Sequence, residues 1–281
     1  MSQKELRLPC IKGSQVKILH KKRALCPFLF ESEKVSIIKE HKLQTTSFSL
    51  HILAMIFMLI DHAGMIFFSD YPIFRCIGRL AFPIFAFMAV EGFYHTRSLK
   101  KYLSRLFIWA VISEIAYNIF KTGQIVDITR RNVLWTFFFG LILVYFIDKA
   151  RKKFGDGPIL LAILIFSAVF CYCFSKILRA DYGYAGLFTV IAFYLFRGRS
   201  TSLRLLQFAS LFVINTLILS SSSVVIGTVS ITRQIFALFA LIPIWMYNGK
   251  RGYSSKILTL FYYAFYPLHL ILLVVLYVIL K

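Results

Sequence analysis

The sequence predicts an all-α polytopic bundle of about nine transmembrane helices, with its N-terminus on the cytoplasmic side. Three observations carry this expectation. Of the 281 residues, 59% are hydrophobic and only 16% are charged, whereas a soluble domain is about half apolar and about a quarter charged. The apolar residues gather in successive runs of about 20, the length that fits a bilayer as helix. The basic residues sit in short clusters between those runs, which is how membrane topology is encoded.

The elements follow in order. Residues 1–49 form a polar tail with ten Lys/Arg and four Glu. It reads as disordered or as lying on the anionic inner leaflet, and it lacks the apolar stretch of a cleavable signal peptide. A transmembrane domain is expected over 50–281, with spans at 50–68, 74–94, 103–120, 133–148, 158–177, 182–196, 204–221, 233–248 and 257–280. The sixth and eighth are short for a crossing, so they tilt little or re-enter.

The net charge is +21, from 33 Lys+Arg against 12 Asp+Glu. These cations are spread along the chain rather than gathered on one domain, which argues against a nucleic-acid partner and for the lipid bilayer. Counted on alternate sides of the spans, 24 fall on the side of the tail and eight on the other, with Arg79 inside the second span. Positive residues stay inside, which puts the tail in, the C-terminus out and an odd number of spans between; eight spans is the alternative. The five cysteines are odd in number and form no C-x-x-C pair, so neither a disulfide framework nor a metal site is indicated.

Ionisable groups at membrane depth are costly and mark function or a structural pairing. They are Asp61, His62, Arg79, Glu91, Glu114 and His269. At a rise of about 1.5 Å per residue, His62 and Glu114 each lie about 9 Å below the outer edge and Arg79 about 7.5 Å. A base, a cation and a carboxylate thus reach one level. Arg75 and Arg79 share a face of their span, as do Glu114 and Asn118 on theirs. Asp61 and His62 point about 100° apart, so Glu114 is expected to orient the His62 ring and to pair with Arg79. Glu91, near the inner end of the second span, is expected to snorkel or to pair with Arg105. His269 follows Pro267 near mid-membrane. A structural ion-pair network that glues helices is the alternative reading of the same residues.

Residues 50–106 carry a longer pattern: Ile60-Asp61-His62-x-Gly64, then Arg75-x-x-Gly78-Arg79-x-Ala81-Phe82-Pro83-Ile84-Phe85-Ala86-Phe87, Glu91-Gly92 and His95-Thr96. With Asn132-Val133-Leu134 and the closing FYPLHL at 265–270, it resembles the TraX family over about 48–281. The resemblance implies a membrane-bound N-acetyltransferase in the bacterial cytoplasmic membrane; the founding member acetylates the N-terminus of conjugative pilin. It implies acetyl-CoA as donor substrate, and a pilin or another envelope component as acceptor.

Put together, His62 is expected to act as general base, with Glu114 or Asp61 fixing its tautomer and Arg79 stabilising the oxyanion. Arg75, Asn118, Glu91 and His269 are assigned to the substrate. Arg97, Lys100, Lys101 and Arg105 are expected to meet the CoA phosphates. Two rivals from other classes stand beside this: a transporter or channel lined by the same groups, and a non-catalytic pilus-assembly protein.

Overall fold

The structure, a computed structural model, describes residues 44–219, 223–226 and 229–281. The expected basic tail therefore falls outside the described residues as far as residue 43.

The chain from Thr45 onward is nearly all-α. Helix α1 is Ser47–Ile66, α2 Pro72–Gly78, α3 Ala81–His95, α4 Leu99–Thr122, α5 Val133–Phe154, α6 Pro158–Leu178, α7 Gly183–Leu195 and α8 Thr201–Val213, which runs on as a π-helical turn, Ile214–Ile218. A 3₁₀ helix, Arg233–Ala240, leads into α9, Leu241–Trp245, and α10 spans Lys256–Leu280. Side chains start the long helices: Thr46, Ser98, Asn132, Ser200 and Ser255 each accept from a backbone amide of the first turn, satisfying donors a helix start leaves open. Gly123 and Gly155, at φ 72° and 71°, end α4 and α5 in a conformation that side chains disfavour.

Among the described residues, seven helical segments are long and apolar enough to cross a membrane: Ser47–Ile66, Pro72–His95, Leu99–Thr122, Val133–Phe154, Pro158–Ile177, Thr201–Ile218 and Lys256–Leu280. The expected sixth and eighth spans are the shorter apolar helices Gly183–Leu195 and Arg233–Trp245. Thirteen residues of α-helix, as in Gly183–Leu195, reach about 20 Å, short of a hydrocarbon core of about 30 Å, in keeping with the expectation that the sixth and eighth elements are short for a crossing. A feature that the sequence reading did not assign lies just before Arg233. Ser223–Ile226 and Val229–Thr232 pair as an antiparallel hairpin, β1 and β2, with Ser223 opposite Thr232. Their β-branched residues suit a strand.

The second expected span is interrupted. The Arg79 and Leu80 amides bond back three residues, to Cys76 and Ile77, and α3 begins at Ala81. Pro83 explains the break: its ring crowds the carbonyl four residues earlier, that of Arg79. The core of the bundle is mainly apolar, but polar groups are buried within it while large apolar side chains cover its outside. Asp61, Glu91, Asn118, Thr136, Gln207 and His269 are buried, while Ile165, Phe166, Val169, Ile257, Val278 and Ile279 are exposed. An apolar exterior with its few charges buried suits surroundings of lipid rather than water.

Candidate functional site

Polar groups on α1, the α2–α3 break and α10 come together in the half of the bundle away from Thr45. His62, on α1, and His269, on α10, are 207 residues apart in sequence, and His62 Nδ1 lies 2.7 Å from His269 Nε2. The rings are stacked with centroids 5.0 Å apart, and Phe120 of α4 meets the His62 ring edge-on at 5.1 Å. Partner chemistry fixes the protons. His269 Nδ1 is 2.7 Å from the Phe265 carbonyl, which can only accept, so this nitrogen carries hydrogen. In a neutral His269 ring, Nε2 is then the acceptor and His62 Nδ1 must donate. His62 Nε2 is left with a free lone pair, and it makes no hydrogen bond among the described residues.

One residue away, Asp61 holds two arginines. Arg75 Nη1 donates to Oδ2 at 2.6 Å, and Arg79 Nη2 donates to Oδ1 at 2.6 Å and to Oδ2 at 2.8 Å. The four-residue spacing puts both guanidiniums on one side of α2 and the turn after it, and Arg79 Nε donates to the Arg75 carbonyl at 3.2 Å. Gly78 makes this approach possible, because a Cβ there would collide with the Asp61 side chain. One carboxylate against two guanidiniums leaves the cluster with a net positive charge.

The expected pairings change accordingly. Arg79 pairs with Asp61, not with Glu114. His269, not Glu114 or Asp61, fixes the tautomer of His62. Glu114 serves the start of α5: its Oε1 accepts from the Asn132 amide, Asn132 Nδ2 and Trp135 Nε1 at 3.0, 2.6 and 2.8 Å. Arg131 stands 3.6 Å from its other oxygen. Asn118 donates to the Ile125 carbonyl at 3.3 Å and so holds the α4–α5 loop. Equal depth suggests one site, but the rotation of α4 turns Glu114 towards α5. Glu91 pairs with Arg197 at 2.6 Å and lies 3.3 Å from His95; it does not pair with Arg105. Its place at the opposite end of α3 from Arg79 keeps it away from the histidine pair. Arg97, Lys100, Lys101 and Arg105 are all at least partly exposed, around the first turns of α4.

Three residues at the site escape the sequence reading. Tyr117 donates to Asp181 Oδ1 at 3.1 Å, Lys121 Nζ lies 3.8 Å from Met65 Sδ, and the Tyr182 ring stacks on Phe82 with centroids 3.7 Å apart. Lys121 is within electrostatic range of Asp61, Arg75 and Asp181, and Tyr182 of Arg79 and Asp61. The spacing of Glu114, Tyr117, Asn118 and Lys121 is that of a single helical stripe and could have flagged Tyr117 and Lys121.

Among known proteins, the chain is 30% identical over 245 residues to a protein of Dichelobacter nodosus named probable fimbrial assembly protein FimC, serogroup H1, covering 81% of this chain and 94% of that one. It is 28% identical over 164 residues to an uncharacterized protein of Rickettsia prowazekii, covering 58% of this chain and 60% of that one. No solved structure matches. The family described as TraX protein matches residues 47–277, from the first turn of α1 through the last turns of α10 and so across both halves of the histidine pair: this chain belongs to the TraX family.

Proposed function

We propose that this chain is a multi-pass acyltransferase of the bacterial cytoplasmic membrane, with the Thr45 end of the bundle on the cytoplasmic side. It moves acetyl from acetyl-CoA to an amine or hydroxyl of an envelope component. The relative named for fimbrial assembly favours a pilus subunit as acceptor. The observation that carries the reading is the fixed tautomer of His62. A neutral imidazole whose Nδ1–H is committed to a second histidine presents Nε2 as a base. Nε2 would take the proton of the attacking amine or hydroxyl as that atom adds to the thioester carbonyl. On collapse the C–S bond breaks, and the proton passes from His62 to the departing CoA sulfur. Arg79 has Nε and Nη2 committed to Arg75 and Asp61, so Nη1 and the net positive charge around it are what face the developing oxyanion. Arg75 holds Asp61 and, on this reading, positions Arg79. At the basic end, Arg97, Lys100, Lys101 and Arg105 attract the donor's phosphates.

A second reading, a non-catalytic part in pilus assembly, is favoured by one observation. The cavity beside Leu99–Ile108 and the cavity beside Glu91 and Arg197 are lined by neither His62 nor His269, and Arg79 and Glu91 are separated by about 18 Å along the helix direction. Transfer therefore requires a path for the pantetheine arm to open between helices. The deciding experiment incubates the purified full chain with acetyl-CoA and a peptide bearing a free N-terminal amine, and follows CoA release. His62→Ala should lower the rate by roughly 10²–10⁴-fold, as for a lost general base, with insertion and melting unchanged. Wild-type protein that releases no CoA above the peptide-free control would favour the assembly reading.

A further inference from the structure

At the Thr45 end of the bundle, α3, the α7–α8 turn, α8 and the segment after α9 enclose a cavity of about 160 Å³. Three arginines line it, and their charges are not equally spent. Arg197 is neutralised by Glu91, at 2.6 and 3.2 Å. Arg199 and Arg204 have no carboxylate within 4.0 Å among the described residues. What they have is backbone: Arg199 Nη2 donates to the Tyr247 carbonyl at 3.2 Å and Arg204 Nη2 to the Trp245 carbonyl at 3.3 Å. Arg204 Nε is buried with no acceptor among the described residues.

An orphaned buried donor is costly, and two uncompensated guanidiniums at one small cavity repel each other. A bound anion relieves both. The walls are held in place for it. Gln207 donates to the Phe196 carbonyl at 2.8 Å and accepts from Trp245 Nε1 at 2.8 Å, which locks the indole against the Arg204 guanidinium, 5.9 Å from the ring centroid. Gly249, at φ 80°, lets the backbone pass where a Cβ would press on Arg199 Nη2. Two guanidinium forks match the oxygens of a phosphate group better than those of a single carboxylate, and the volume admits a phosphate or diphosphate but not a whole nucleotide.

We propose that this cavity is a phosphate-ester site in which Arg199 and Arg204 hold the diphosphate of a CoA-type donor, more closely than the loop cations at Arg97–Arg105 do. The assignment of the donor rests on the acyl-transfer reading; the phosphate chemistry does not. The same groups would bind an anionic phospholipid headgroup, and the experiment separates the sources.

Full-length protein in a neutral detergent is titrated with CoA and, separately, with pantetheine, which lacks the phosphates. Arg199→Gln with Arg204→Gln should weaken CoA binding at least 100-fold, about tenfold for each guanidinium removed from the phosphates, while pantetheine binding is unchanged. Lys100→Gln with Lys101→Gln and Arg105→Gln should weaken CoA binding less than tenfold. Arg199→Gln alone, at an exposed position, serves as the readable variant should the pair fail to insert, and is expected to weaken binding about tenfold. In parallel, wild-type and double-variant protein is reconstituted with phosphatidylglycerol or phosphatidylcholine, and retained lipid is read by native mass spectrometry. A wild type that transfers acetyl, with a double variant that binds CoA as tightly, overturns this site and leaves the transferase reading intact. A wild type that ignores CoA but retains phosphatidylglycerol, with no retention by the double variant, keeps the phosphate site and refutes the donor. Neither ligand bound by wild type overturns both.

Discussion

Replacing Asp61 by alanine is the sharpest test of how the α1–α3 corner is held. Asp61 receives three charge-assisted hydrogen bonds of 2.6–2.8 Å from Arg75 and Arg79. The side chains are 11% exposed for Asp61, 12% for Arg79 and 21% for Arg75, so solvent screens these charges little. Asp61→Ala leaves two guanidiniums facing each other with no carboxylate, in the same pocket beside His62. Breaking a buried pair by removing one partner costs about 3–5 kcal/mol, against a total stability of about 5–15 kcal/mol for a typical domain. The loss is expected near the lower end, about 3 kcal/mol, because Arg75 can turn its exposed edge outward. Unfolding in mixed micelles, followed by tryptophan fluorescence, measures it. Removing all three charges together, as Asp61→Leu with Arg75→Leu and Arg79→Met, should restore stability to within about 1 kcal/mol of wild type, since apolar replacement of a buried ionic cluster is often neutral. An Asp61→Ala protein that unfolds within about 1 kcal/mol of wild type would refute the reasoning, and with it the idea that this cluster holds α1 against the α2–α3 corner.

Three further outcomes follow from the same geometry. Gly78→Ala should destabilise the protein by about 1–3 kcal/mol, the usual range for overpacking, because the new Cβ meets Asp61; melting temperatures in detergent decide it. His269→Leu should cut acetyl transfer about 5- to 150-fold, the factor equivalent to the roughly 1–3 kcal/mol of a stranded donor at His62 Nδ1, whereas His269→Gln should recover part of it; equal rates for both would sever His269 from the chemistry. Single cysteines at Ile128 and at Phe154, both exposed positions, in a background free of native cysteine, should label from outside intact cells at 128 and not at 154; the reverse pattern would invert the proposed orientation.

Much of this molecule can be read along the chain. Hydropathy marks each apolar helix within a few residues, because a bilayer crossing needs a long unbroken apolar run and its ends are set by caps and charges close by in sequence. The ionisable residues worth attention are visible for the same reason, since a charge inside such a run has no innocent place. Spacing also puts Arg75 and Arg79 on one side, and both do reach one carboxylate. Run length also marks the sixth and eighth elements as short for a crossing, and they are the short apolar helices Gly183–Leu195 and Arg233–Trp245. Hydropathy does not choose partners. Periodicity fixes the face and depth of a residue on its own helix, but the rotation of that helix against its neighbours comes from packing across the whole bundle. Glu114 and His62 share a depth, yet α4 turns Glu114 to Asn132 and Trp135 while α10, at the far end of the chain, delivers His269 to His62. The sequence by itself determined which groups would be buried in the bundle; tertiary packing alone decided that Asp61 would hold the arginines and that a second histidine would set the proton on the first.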